Sequence, residues 1–199
     1  MLKVTFDNNC LISLENLEPA AAHLNKIIIH HNNRKIKICI ASVTSAELQK
    51  DKTIADSYQL FLNRIETLGL NNVEILQSVS NWSMGYWGSA FRSSSEADYS
   101  LIKRIHVVMW PDTPFSHEDY CKLSQRKAYI SGVAKKWRSK EMDVLTLFSH
   151  IRNSCDIFVS ADPDFGSPGS KKKQELELLG AQKIMTPDEA EHWIHQSIQ

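Results

Sequence analysis

Asp7, Glu47, Asp143, Asp162 and Asp164 fall at or near the ends of the chain's apolar runs, and their types and spacing could do chemistry together. Asp7 closes the β-branched and aromatic run at residues 2–7 and is followed at once by Asn8 and Asn9. Glu47 comes just after the alternating run at 35–41. Asp143 is expected at the start of a helix that feeds the apolar segment 156–160, and Asp162 and Asp164 lie just past that segment. Carboxylates gathered at one place cannot all stay ionised without a counter-charge. Their hard oxygens suit Mg²⁺ or Mn²⁺, and Mg²⁺ usually keeps several waters. One or two such ions activate a water and stabilise in-line displacement at a phosphodiester.

The elements that must bring these groups together read as alternating strands and helices. Residues 2–7 form a first strand and a helical segment follows. Pro19 opens a second helix that stops at Asn32 and Asn33, and residues 35–41, with Ile36, Ile38 and Ile40, form a second strand. Thr44 or Ser45 is expected to cap a helix containing Glu47. Thr53 or Asp56 is expected to start the amphipathic run with Leu60, Ile65 and Leu68, closed by Gly69. Residues 72–76 read as a third strand, and residues 96–108 and about 119–138 as helices. The stripe Met142, Leu145, Phe148 and Ile151 marks a further helix before a strand at 156–160. The tail adds a helix at 171–179, a strand at 183–186 and a last helix starting at Pro187.

This alternation specifies an α/β domain over residues 1–199, a central, mostly parallel sheet flanked by helices with a long helical and loop insertion at about 78–140. In such sheets ligands bind outside the carboxyl ends of the strands, which is where the acidic residues fall.

Composition narrows the classes. With 42% apolar and 23% charged residues the chain can bury a normal core, and 23 basic against 23 acidic residues exclude a polycation. Four dispersed cysteines without a C-x-x-C pair, and an N-terminus that turns polar at once, point to a reducing cytoplasm. No apolar stretch reaches the ~18 residues of a membrane span, so no membrane partner is expected.

The average charge hides a segment. Lys122, Arg126, Lys127, Lys135, Lys136, Arg138 and Lys140 fall between residues 120 and 140 with no acid among them. Lysine and arginine contacts to phosphate supply most non-specific nucleic-acid affinity. Arg126, Lys127, Lys135, Lys136 and Arg138, with Asn9, are therefore the expected substrate contacts; Lys171, Lys172 and Lys173 form a second basic run beside Asp162. Trp82, Tyr86, Trp87 and Phe91 either stack on unpaired bases or pack beneath a loop.

Other chemistries lack their residues. GSPGSK at 166–171 has two residues between its glycines where a phosphate-binding loop needs four, and there is no G-x-G-x-x-G or G-x-S-x-G. The pairs His30 with His31 and His192 with His195 have no second ligand set for structural zinc. His150 reads as a packing residue or as one that supports the acidic groups from behind. Asn9 stands where a phosphatase of the haloacid dehalogenase kind needs its second Asp.

FDNNCLIS, ASVTSAELQK, MDVLTLFSHIRNSCDIFVSADPDF and LLGAQKIMTPDEA, in that order over most of the chain, resemble the successive motifs of the PIN domain. The resemblance implies a metal-dependent endoribonuclease in which Asp7, Glu47, Asp143 and Asp162 hold Mg²⁺ or Mn²⁺, with Asn9 and Asp164 in support. Ser160 replaces the family's more usual Thr before the closing acids. The family is often found in bacterial toxin–antitoxin pairs, so an antitoxin partner and a homodimer are implied beside RNA. The other reading is a catalytically inactive PIN-like scaffold that binds RNA or protein.

Overall fold

β1 (Leu2–Phe6) is flanked on both sides, because its residues alternate between two buried faces: Val4 and Phe6 point one way and Thr5 the other. The computed structural model describes residues 1–47, 57–79, 90–91, 95–123 and 131–198, with backbone alone at 46, 90–91 and 131–135. β2 (Ile36–Ala41) and β6 (Ile157–Val159) pair with β1 in parallel, and β3 (Glu74–Leu76) and β7 (Lys183–Met185) extend the sheet outward. The order is β3-β2-β1-β6-β7, all parallel. A second, two-stranded parallel sheet joins β4 (Ser78–Val79) to β5 (Ala90–Phe91).

Parallel neighbours need crossovers, and helices supply them on both faces. One layer holds α1 (Asn8–Asn16), α2 (Pro19–Asn32), α3 (Tyr58–Thr67) and α8 (Pro187–Ser197), whose Leu11, Leu24, Ile27, Phe61 and Ile194 close over Phe6, Ile38, Ile40 and Val159. The other holds α4 (Glu96–Met109), α6 (Ser131–Arg152) and α7 (Lys171–Leu176), whose Ile105, Met109, Leu145, Phe148 and Leu176 pack on Phe158 and Ile184. Burying each such side chain contributes roughly 1.5–3 kcal/mol before conformational entropy is charged against it. α5 (His117–Leu123) leans on α6 through the rings of His117 and Trp137, 5.0 Å apart.

Local signals explain the ends. Pro19 sits in the first turn of α2, and Thr186 and Glu189 form a reciprocal cap at the start of α8. Gly180, at φ 114°, sits in the π-helical turn Glu177–Ala181 that turns the chain into β7.

Three expectations change. The helix expected over about 119–138 is divided between α5 and α6, with residues 124–130 outside the described part. α6 runs through the expected boundary near Lys140, since no Gly or Pro interrupts residues 133–152, so Asp143 lies within the helix and not at its start. Glu47 is not helical: residues Ser42–Ala46 form a 3-10 turn, and Glu47 ends it in extended conformation at φ −84°, ψ 165°. Within the stretch expected as an insertion, Ile102, Ile105 and Met109 of α4 are core residues.

Candidate functional site

The order of strands sets the place. From β1 the chain moves outward to β2 and β3, then returns to add β6 and β7 on the other side of β1. The crevice at the carboxyl ends of β1 and β6 is therefore the topological switch point, where open α/β sheets bind ligands.

Asp7 closes β1 there, and its backbone N–H donates to the Val159 carbonyl of β6 at 3.1 Å. The Asp7 side chain caps α1, accepting from Asn8 N–H at 2.8 Å, and its other oxygen accepts from Ser160 Oγ at 2.8 Å. Ser160 Oγ accepts in turn from Asp162 N–H at 3.0 Å. Asp162 accepts from Asn9 Nδ2 at 2.9 Å and from Asp164 N–H at 2.8 Å, and the short 3-10 turn Pro163–Phe165 follows. One hydroxyl and one amide thus tie the loop after β6 to the end of β1.

Two carboxylates enter from other elements. Glu47 accepts from Thr146 Oγ1 of α6 at 3.4 Å and from the side chain of Asn8. Asp143 lies three residues before Thr146 on the same face of α6. Asp143 stands among the buried Met142, Val144 and Leu145 of α6. Arg64 of α3 is held by a two-pronged pair with Glu15, at 2.7 and 3.0 Å, and donates to Asn8 Oδ1 at 3.2 Å, so a buried cation stands behind Asn8.

The electrostatics record the convergence. Burial pushes Asp7 up to about 6, and the charge of Asp162 adds to the rise while Ser160 and Asn8 oppose it. Burial raises Glu47 to about 8, aided by the charge of Asp7 and opposed by Asn8, Arg64 and Thr146. Asp143 is driven well above the ordinary carboxylate range, first by burial and then by the charges of Glu47, Asp7, Asp162 and Asp164. Asp164 is raised by burial and by Asp162, with Lys172 and Lys140 pulling it back. These acids share one field, and a divalent cation would relieve it.

Among the described residues no three His, Cys, Asp or Glu side chains are drawn together closely enough to form a ready-made cage for a metal ion. The donor set still fits a hydrated ion: oxygen ligands only, and carboxylates held by hydroxyl and amide donors that fix their direction. Mg²⁺ is commonly held by one or two direct carboxylates and its own waters, so a closed cage is not required.

The remaining expected residues divide. Arg126 and Lys127, with Trp82, Tyr86 and Trp87, lie outside the described residues, and the side chains of Lys135 and Phe91 are likewise not described. Lys136 is exposed and Arg138 partly buried. Lys122 is engaged with Glu118 and Asp119 on its own helix. The cations that reach Asp164 are Lys172 and Lys140. His150 is a packing residue. Its Nε2 faces the Ala181 carbonyl at 2.9 Å, which can only accept, so Nε2 carries the proton and Nδ1 accepts from Thr5 Oγ1 at 2.8 Å.

Sequence reading missed Asn8, Arg64 and Thr146. Thr146 carried a faint signal, a hydroxyl three residues after Asp143 inside an apolar run. Arg64 carried none, since only the packing of α3 beside α1 brings it to Asn8. Among the described residues no helix is long and apolar enough to cross a membrane. Protein-family models and curated proteins give no match to the chain, so residues and geometry alone carry the functional reading.

Proposed function

We propose that this chain is a PIN-type, Mg²⁺- or Mn²⁺-dependent endoribonuclease, with Asp7, Glu47, Asp143 and Asp162 as the residues that would hold the ion. The observation that carries the reading is the convergence of buried carboxylates at the switch point of a parallel sheet, with Asp7, Glu47 and Asp143 all displaced upward by burial and mutual repulsion. Spending that much unfavourable charge at a ligand-binding edge makes sense when a cation completes the site. The bound ion supplies an activated water and offsets the negative charge that develops at the phosphodiester.

The chain's own groups do the rest. Ser160 Oγ and Asn8 N–H orient the two oxygens of Asp7, and Asn9 Nδ2 and Asp164 N–H orient those of Asp162. Thr146 holds Glu47 against the face of α6 that carries Asp143. Asp143 brings a further carboxylate to the site from α6. Asn9, expected as a substrate contact, serves here to steer Asp162.

The test is cleavage of a pool of transfer RNA, ribosomal RNA and single-stranded RNA oligonucleotides by the purified chain, with Mn²⁺ and with EDTA, beside the Asp7→Asn/Asp143→Asn double variant. Cleavage by the wild type with metal, and neither by the variant nor in EDTA, supports the reading. A folded wild-type chain that cuts none of these RNAs with Mn²⁺ present overturns it.

A further inference from the structure

Trp110, which caps the C-terminal end of α4, has two ammonium groups over its indole ring. Lys140 Nζ lies 4.5 Å from the ring centroid and Lys172 Nζ lies 5.6 Å from it. The lysines come from α6 and α7, so three elements meet at one point. Lys140 Nζ also donates to Thr113 Oγ1 at 2.6 Å, which fixes its direction. Among the described residues neither lysine forms an ion pair, although neighbouring Lys171 and Lys173 are paired with Glu175 and Glu189. Trp110, Lys140 and Lys172 are all partly exposed.

A ring face attracts each ammonium, but it carries no net charge and leaves both cations unneutralised. A phosphate bound beside them would supply the missing counter-charge. Lys140 lies three residues before Asp143 on α6, and Lys172 lies in the first turn of α7, which follows the Pro163–Phe165 turn, so both cations stand on elements that border the acidic site. Lysine side chains lose much rotamer freedom on binding a phosphate, and two already held over a ring and by a threonine lose less.

We propose that Lys140 and Lys172 clamp the backbone phosphate next to the reacting one in an RNA strand, with Trp110 as the positioning residue that holds both ammonium groups. The clamp rests on the nuclease reading for its substrate, but it is tested without cleavage. Phosphate is common to RNA and DNA, so matched strands of each separate backbone contact from recognition of the 2′-hydroxyl.

The measurement is fluorescence anisotropy of a fluorescein-labelled RNA oligonucleotide, and of its DNA counterpart, titrated with the full chain in EDTA across a range of NaCl. Lys140→Gln/Lys172→Gln is expected to bind about tenfold more weakly, with the slope of log Kd against log salt reduced by about 1.4, as two lost contacts to a single strand predict. Trp110→Leu is expected to lose part of the same slope and Trp110→Phe, which keeps a ring, to recover it; a merely structural role would not move the slope. Lys26→Gln, on α2, is expected to match the wild type. Unchanged affinity and slope in the double lysine variant, or no binding of either strand by the wild type, overturns the clamp whether or not the chain cleaves RNA. Loss confined to RNA overturns the phosphate assignment. Equal loss on both strands supports the clamp, and it does so even if metal-dependent cleavage fails and the nuclease reading falls.

Discussion

Asp143→Asn separates stability from cleavage at a single atom. The variant removes an ionisable carboxyl whose charged form is opposed first by burial and then by four neighbouring carboxylates, so in EDTA at neutral pH it is expected to be more stable than the wild type. With Mn²⁺ its RNA cleavage should fall by about a hundredfold or more, as expected where a charge that orients the reacting groups is lost. Denaturant titration and an RNA cleavage assay on the same preparation check both, and a destabilised variant would contradict the crowding of charge. Glu47 gives the pH signature. Its folded value of about 8 and that of Asp7, about 6, lie above the ordinary 4.5 and 3.8, so the folded state holds these protons more tightly than the unfolded chain. Their contribution is full below about pH 4 and is lost as pH rises through 6 and 8. His150 works oppositely: burial lowers it to about 4, so its contribution is lost as pH falls below its ordinary 6.5. Comparing wild type with Glu47→Gln in EDTA isolates the carboxylate. The stability difference should shift in the variant's favour between pH 5 and 8, and a pH-independent difference would refute it.

At the scale of elements, two glycines and one histidine hold the pieces around the site. Gly166 ends the acidic turn at φ 94°, and a Cβ there would meet Lys173 N at 2.7 Å and Ser170 Oγ at 2.8 Å. Both neighbours lie at the start of α7, so Gly166→Ala should push α7, and Lys172 with it, away from Asp162 and Asp164. The expected cost is about 2 kcal/mol from positive φ and the clash together, read by chemical denaturation. Gly180 is the same argument in milder form, with Ile151 Cγ2 at 3.1 Å. His150 ties α6 to β1 and to the turn before β7. His150→Phe would keep the ring contact with Phe158, 5.4 Å away, take the imidazole N–H from the Ala181 carbonyl, and leave the Thr5 hydroxyl with Cys155 as its side-chain partner. A loss of about 1–3 kcal/mol follows from the buried carbonyl that loses its donor, and an unchanged unfolding midpoint would refute it.

For the whole molecule, the test is whether a cation is part of the folded state. A site strained by repulsion in its absence should stabilise the chain on binding, by about 2.7 kcal/mol when Mn²⁺ is present at a hundred times its dissociation constant. Thermal unfolding with and without Mn²⁺ measures this, and the shift should vanish in the Asp7→Asn/Asp143→Asn variant. The architecture makes the expectation specific. β1 and β6 carry Asp7 and the Asp162 loop, the turn after β2 carries Glu47, and α6 carries Asp143, so the ion would bridge both sides of the switch point.

Much of this was legible in the order of residues. Alternating apolar runs and helical stripes depend only on local periodicity, which is why β1, α2, β2, α4, β6 and α8 emerged with nearly their observed limits, and why acids at strand ends pointed to one edge of a parallel sheet. Helix continuity was harder. One helix was expected to end at about 138 and another to begin with the Met142 stripe, yet with no Gly or Pro present α6 runs on because tertiary packing of Met142, Leu145 and Phe148 sustains it. The extended conformation of Glu47 likewise answers to its partners Thr146 and Asn8 and not to its neighbours in sequence. Arg64 behind Asn8, and Lys140 and Lys172 over Trp110, join residues 56, 30 and 62 positions apart. No local pattern encodes such meetings. The sequence by itself determined which residue types are present and which elements carry them; which side chains share a field was decided only by the folded sheet, because electrostatic and packing energies depend on distance in space.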